Sequence, residues 1–256
     1  MASGQRYRLV LAFHGGGYHG WQAQVGLRTV QGELSRALLR LSGESPQIQA
    51  AGRTDRGAHA HGQVVAFSLQ ADAWEPGRMR RALNALLPED VAVLAVDRAQ
   101  ADFDPRRQAW RRSYRYLVRD SEQPAPVTRG QEWRVNSALE LLPMRQAARR
   151  LVGRQDFAAF GSSPRPGGST VRTVDRATVA RAGGLICLEV RADAFLRGMM
   201  RNFAGALVAI GRRRAELADL AAALACPSPG RALWATAPAL GLHQWRVEYR
   251  GPEEAW

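Results

Sequence analysis

Lysine is absent from this chain of 256 residues: all 36 of its Lys or Arg positions are arginine. Cysteine is scarce, with only Cys187 and Cys226, far apart, outside any C-x-x-C spacing and without a nearby histidine pattern. That excludes a disulfide framework and a zinc module and leaves two buried or incidental thiols. Long apolar runs are missing as well, and nothing approaches the roughly 20 residues that a membrane-spanning helix needs. The start of the chain leads only into a strand-length apolar stretch, Tyr7 to Phe13, without a small-residue cleavage site, so no signal peptide is expected and the expected location is cytoplasmic. Hydrophobic residues at 46% and charged residues at 23% exclude a disordered chain. The length suits one large domain or two ordinary ones, and either buries a real core without metal or disulfides.

What the chain has in excess is positive charge: the formal net charge is +13 and the isoelectric point is near 11.2. Guanidinium groups grip phosphates in pairs of hydrogen bonds and stack on bases, which ammonium groups cannot do. A polyanionic partner is therefore expected, with nucleic acid favoured over anionic membrane, since no basic amphipathic anchor or lipidation signal is evident. The runs Arg106-Arg107, Arg111-Arg112 and Arg212-Arg213-Arg214 are either solvated faces or, in part, tracks for a phosphate backbone.

Periodicity predicts a strand over Tyr7–Phe13, a glycine-rich loop from Gly15 to Gly20, and a helix from Val30 with Thr29 as its N-cap, stopped by Ser42-Gly43. Short strands over 47–51 and 62–69 flank a turn. A second helix over 76–87 ends at Pro88, and Val91–Val96 reads as a strand. After Asp104-Pro105 the pattern restarts with a strand over 113–118, a polar Pro-rich stretch over 120–127, a helix from about Pro143 to Val152, strands over 171–182 and 185–192, and a helix from about Leu196 to Ile210. The segment Gly161–Ser169 reads as a loop. These patterns predict an α+β protein with two halves, residues 1–105 and 106–256.

The segment Ala51-Gly52-Arg53-Thr54-Asp55-Arg56-Gly57-Ala58-His59-Ala60 carries the most chemical information. It sets one carboxylate, Asp55, near two arginines on a turn bracketed by glycines. A short acid flanked by cations suits a nucleophile or ion-pair partner better than a proton donor. The plain alternative is a surface turn with a capping aspartate. His59 and His61 beside Asp55 raise the possibility of a metal site or a metal-dependent hydrolase, but no third protein ligand is evident, so no metal is expected.

Six blocks then fall in the order of one family. Tyr18-His19-Gly20-Trp21-Gln22-Ala23-Gln24 with Thr29-Val30-Gln31, then Gly52-Arg53-Thr54-Asp55-x-Gly57-x-His59, then Tyr114-Arg115-Tyr116 resemble the bacterial tRNA pseudouridine synthase A family. Gly153–Phe160, Ala194–Asn202 and Ala237–Leu242 continue the match, so the resemblance covers nearly the whole chain. It implies two ferredoxin-like halves whose sheets join across a central basic cleft, with Asp55 on its floor. It implies isomerisation of uridine to pseudouridine at positions 38, 39 and 40 of the tRNA anticodon stem-loop, without a cofactor, by a homodimer. Asp55 corresponds to the family's nucleophile, and Tyr114 to the tyrosine that packs against the target uracil and serves in acid-base steps. Arg201 corresponds to the arginine paired with the catalytic carboxylate, Arg53 to the residue that helps evict the base, and Leu242 to an apolar wall of the base pocket. Two positions depart from the family, Arg56 where alanine is usual and Ala58 where a larger aliphatic is usual. Neither removes a group that the chemistry needs. The competing expectation is a non-catalytic RNA-binding module of the same fold, and it predicts loss of Asp55 or its partners.

Overall fold

Period-two alternation along the first strand determines where the core lies. In the computed structural model, which describes residues 4–70, 74–123, 125–227 and 234–251, that strand is β1, Gln5–Phe13. It is followed by α1 Val30–Ser42, β2 Gln49–Ala50, β3 His59–Leu69, α2 Pro76–Leu86 and β4 Val91–Arg98. Next come β5 Ala109–Arg119, β6 Trp133–Arg134, α3 Leu141–Arg150, β7 Gly153–Asp156, β8 Val171–Ala182 and β9 Leu185–Ala192. The chain then forms α4 Met199–Gly211, α5 Leu217–Ala225 and β10 Leu242–Tyr249. This is the mixed α+β class expected. The chain divides into two compact units, one of Met1–Trp110 with Gln244–Trp256 and one of Arg111–His243.

In the first unit the strand order is β4-β1-β3-β10, with β1 antiparallel to both β3 and β4. Tyr7, Leu9 and Leu11 of β1 join Val65, Phe67 and Leu69 of β3 in a core that includes Val30, Leu34 and Leu38 of α1 and Met79 and Leu83 of α2. The alternate residues Val10, Val64 and Ala66 form a second cluster with Phe103, Val247 and Tyr249. Helix α1 has the predicted boundaries for the predicted reasons. The Thr29 side chain accepts the Gly32 N–H, and Gly43 closes the helix at a φ of 74°, caps of about 1 kcal/mol each.

In the second unit the order is β5-β9-β8-β7, antiparallel throughout. Strands β8 and β9 have the predicted limits. The helix predicted from Leu196 instead begins at Met199, after Gly198 at a φ of 80°. Arg197 is in a bridge to Ser162, giving its N–H at 3.0 Å and receiving one at 3.4 Å. A tertiary strand contact thus overrides the helical spacing of Leu196. Helix α3 begins two residues before Pro143, which a first turn tolerates because its N–H groups have no intrahelical partner. Strand β3 begins three residues before the predicted Gly62. The short strands β6 and β7, helix α5 and strand β10 had no counterpart among the predicted elements.

Candidate active site

The Asp55 turn connects β2 to β3 and is held from both sides by backbone hydrogen bonds. Ala51 N–H reaches the Val64 carbonyl at 2.9 Å, one residue beyond β2, and Ala58 N–H returns to the Asp55 carbonyl at 3.1 Å. The Thr54 carbonyl accepts from Trp21 N–H at 3.2 Å, and Gly57 gives its N–H to the Tyr18 carbonyl at 3.3 Å. Gly57 turns the chain at a φ of 83°. Gly20, at a φ of 88°, lies so close that a Cβ there would stand 2.7 Å from the Thr54 carbonyl oxygen. The segment 15–21 is therefore the mould in which the turn is cast. It leaves Thr54 buried, Asp55 half-buried, and Arg53 and Arg56 exposed on either side.

The mould has its own brace. Tyr18, buried, donates its hydroxyl to Asp90, and Arg28 holds the same carboxylate with two bonds of 3.0 and 3.1 Å. The Arg28 guanidinium also lies 4.2 Å over the Tyr18 ring. Burial first, then the neighbouring Asp90 carboxylate, pushes the Tyr18 phenol well above its ordinary pKa. It remains a neutral donor, which makes it a strut and not an acid-base group. Sequence reasoning placed no weight on Asp90 or Arg28, which are 62 residues apart and meet only in the fold.

His59 and His61 point into different surroundings. His59 is buried, accepts the Gly15 N–H on Nδ1 at 3.1 Å and packs its ring 4.6 Å from that of His14. His61, exposed, lies 4.4 Å from the Trp245 ring. Among the described residues no group of three or more His, Cys, Asp or Glu is arranged to hold a metal ion. No helix of the described residues is long and apolar enough to cross a membrane.

The other predicted site residues lie in the second unit. Tyr114, on β5 opposite Val190, is 8% exposed and meets Phe195 edge to face, with ring centres 4.6 Å apart. Arg201, in the first turn of α4, is half-buried and gives its Nε–H to the Ala237 carbonyl at 2.7 Å. Ala237 N–H returns to the Arg201 carbonyl at 3.2 Å, and the wholly buried Tyr116 donates its hydroxyl to the Pro238 carbonyl at 2.6 Å. The segment 237–241 is thus bound to both α4 and β5 as it leads into Leu242, the buried first residue of β10. Gly241 is required there, because a Cβ would stand 2.8 Å from the Tyr116 ring and from the Leu117 carbonyl oxygen.

The arginine runs divide. Arg111 is paired with Asp175, and Arg112, 8% exposed, bonds the Asp193 carbonyl at 2.8 Å. Those two are engaged within the fold, so they are neither a solvated face nor the best placed of the runs to meet a phosphate backbone. Arg212 bonds Ser137 at 2.9 Å and Arg213 pairs with Glu140, while Arg106, Arg107 and Arg214 are exposed. Cys187 is half-buried, and burial pushes its thiol up, so it is not a ready nucleophile. A hollow of about 460 Å³ in the first unit is lined by Phe103, Arg107, Trp110, Tyr249 and Arg250, among others. None of the predicted site residues lines it.

The family model described as tRNA pseudouridine synthase matches residues 10–106 and 147–250, spans that include the Asp55 turn, α4 and all of β10. The tRNA pseudouridine synthase A of Sinorhizobium medicae is 40% identical over 247 residues, covering 95% of this chain and 99% of that one. The same-named proteins of Methylobacterium sp. and Geobacter sulfurreducens are 40% and 38% identical, covering 96% and 94% of this chain and 98% of each relative. A match of this extent, through a turn that presents one half-buried carboxylate between two exposed arginines, means that the chain belongs to the tRNA pseudouridine synthase family.

Proposed function

We propose that this chain isomerises uridine to pseudouridine at positions 38, 39 and 40 of the tRNA anticodon stem-loop, with the Asp55 carboxylate as nucleophile. The observation that carries this reading is the Asp55 turn: its backbone is fixed at Ala51, Thr54, Gly57 and Ala58, and its carboxylate is half-buried between exposed arginines. The reaction is balanced within the substrate. The N1–C1′ bond breaks, the freed uracil turns, C5 bonds to C1′, the C5 proton leaves and N1 gains one. No oxidant or reductant is consumed, and none of these steps calls for a cofactor. The carboxylate serves either as a covalent nucleophile or as the base on a glycal route, and both require it ionised beside the ribose.

Tyr114 packs against the target uracil and takes part in proton transfer, a combination that suits a flat ring with a polar tip. Arg201 pairs with the Asp55 carboxylate and orients it. Arg53 is exposed beside the acid, where it helps to evict the base and offsets part of the few kcal/mol that flipping costs. Leu242 walls the base pocket. The partner is the anticodon arm of tRNA, read through shape and flexibility because the three target positions differ in sequence context. The enzyme acts as a homodimer in the cytoplasm.

The test is incubation of purified protein with unmodified tRNA carrying tritium at uridine C5, in EDTA and without added cofactor. Tritium release with pseudouridine mapped to positions 38–40 is expected. Tight tRNA binding without release would instead favour a non-catalytic RNA-binding module. A net charge of +13 further predicts a steep salt dependence of binding, with log K falling by about 0.7 to 0.9 per unit of log[salt] for each phosphate neutralised. Titrations at several salt concentrations measure it, and a flat line would mean that the arginines are not the grip.

A further inference from the structure

We propose that Gln63 and Gln244 are positioning residues that determine where the Asp55 turn leaves the sheet, an inference that rests on reading Asp55 as the nucleophile. Both side chains are completely buried, on the neighbouring strands β3 and β10. The ladder between β2 and β3 pairs Gln49 with Ala66 and Ala50 with Val65. One further bond, from Ala51 N–H to the Val64 carbonyl at 2.9 Å, extends it. The next opposed pair, Gly52 and Gln63, is one that an antiparallel ladder leaves without backbone bonds of its own. Instead the Gln63 side chain donates from Nε2 to the Gly52 carbonyl at 2.7 Å. A side-chain amide thus ties the chain to β3 one residue past the last backbone bond, at Gly52, three residues before Asp55.

The direction of the chain of bonds follows from donor chemistry. Only the NH₂ end of an amide can face a carbonyl, so the bond to Gly52 sets the orientation of Gln63 and leaves its Oε1 for an incoming donor. Gln244 supplies that donor, its Nε2 lying 3.1 Å from Gln63 Oε1. The relay runs one way, from Gln244 to Gln63 to Gly52. It also leaves a loose end: Gln244 Oε1 is buried with no hydrogen-bond partner. Apolar side chains of the same volume would fill the space without stranding an acceptor. What the amides add is a fixed point for the Gly52 carbonyl, and a displacement of 1 Å at a reacting group can cost about 100-fold in rate.

The experiment compares Gln63→Glu, Gln63→Met, Gln244→Met and the double variant Gln63→Met/Gln244→Met, each checked for folding by circular dichroism. Single-turnover tritium release at saturating tRNA is measured alongside tRNA Kd. Gln63→Glu keeps the shape and the acceptor for Gln244 but loses the donor to Gly52. It is expected to lower the rate about 10- to 100-fold, as is Gln63→Met, with Kd within about twofold of the parent. Gln244→Met is expected to lose about 3- to 10-fold alone and almost nothing further on top of Gln63→Met, since it acts only through Gln63. A purely structural pair would lower affinity together with rate. That pattern, or rates within about twofold of the parent, would overturn the proposal. Should the Gln63 variants fail to fold, Gln244→Met decides alone by the same split between rate and affinity. Asp55→Asn assayed in parallel separates the two ideas: full activity there removes the nucleophile reading itself, whereas an inactive Asp55→Asn beside active glutamine variants removes only the relay.

Discussion

Asp55→Asn is expected to abolish pseudouridine formation, with a rate loss of at least about 10⁴-fold, or roughly 5 kcal/mol of barrier at about 1.36 kcal/mol per decade. The substitution preserves volume and removes only the ionised oxygen. The bonds that hold the turn use the backbone of Thr54, Asp55, Gly57 and Ala58, and all of them survive the change. Stability should therefore move by no more than about 1 kcal/mol. Affinity for tRNA should hold or improve slightly, because one negative charge disappears beside the exposed Arg53 and Arg56 and the ligand is a polyanion. Filter binding and single-turnover tritium release on the same preparation separate the two effects. Turnover within tenfold of the parent would mean that the carboxylate is not the nucleophile, and a collapse of binding would mean that it is part of the grip.

The parts of this molecule that were legible in the sequence are those whose causes are local. Helix α1 lies between a threonine that caps it and a glycine that ends it, and both signals sit within one turn of the helix. The β8–β9 hairpin closes at Gly183-Gly184 with Ala182 opposite Leu185, a two-residue turn that glycine marks plainly. The Asp55 turn was legible for a different reason, since its residue order is a chemical signature. The braces behind it were not legible, because each spans a long stretch of chain. Gln244 meets Gln63 across 181 residues, and Arg28 meets Asp90 across 62.

Strand β10 shows the boundary between these cases. Trp245, Val247 and Tyr249 alternate with polar residues as a half-buried strand should, so the strand itself was within reach. Its place beside β3 was not, since no local pattern names a partner so distant. The start of α4 fails in the opposite direction. Leu196, Met199, Met200 and Phe203 keep helical spacing, yet Gly198 breaks the helix because Arg197 is engaged with Ser162. This places Arg201 in the first turn of α4, beside the Ala237 carbonyl that receives its Nε–H.

Gly15→Ala should be the most damaging single-methyl change in the first unit's turn region. A Cβ at Gly15 would stand 1.8 Å from the Ala58 carbonyl oxygen and 2.6 Å from its carbon, far inside van der Waals contact and against backbone that no side-chain rotation can move. Gly15 also gives its N–H to His59 Nδ1 at 3.1 Å and accepts the Tyr18 N–H at 3.0 Å, so pushing it away strains both anchors. Overpacking of this kind costs about 3 kcal/mol or more. For a chain of this size that lowers Tm by roughly 6 to 12 °C. Gly26→Ala is the control: its φ is 73° and nothing lies within 4 Å of the added carbon, so only the backbone penalty of about 1 kcal/mol applies. Thermal melts of the two variants should differ by several degrees, and Gly15→Ala assayed well below its Tm should also lose about 100-fold in single-turnover rate, because Ala58 is bonded to the Asp55 carbonyl and a shift there is passed to the carboxylate. A melt of Gly15→Ala within 2 °C of the parent would show that the turn yields easily, which would remove the rigid mould as the reason Asp55 is held in place.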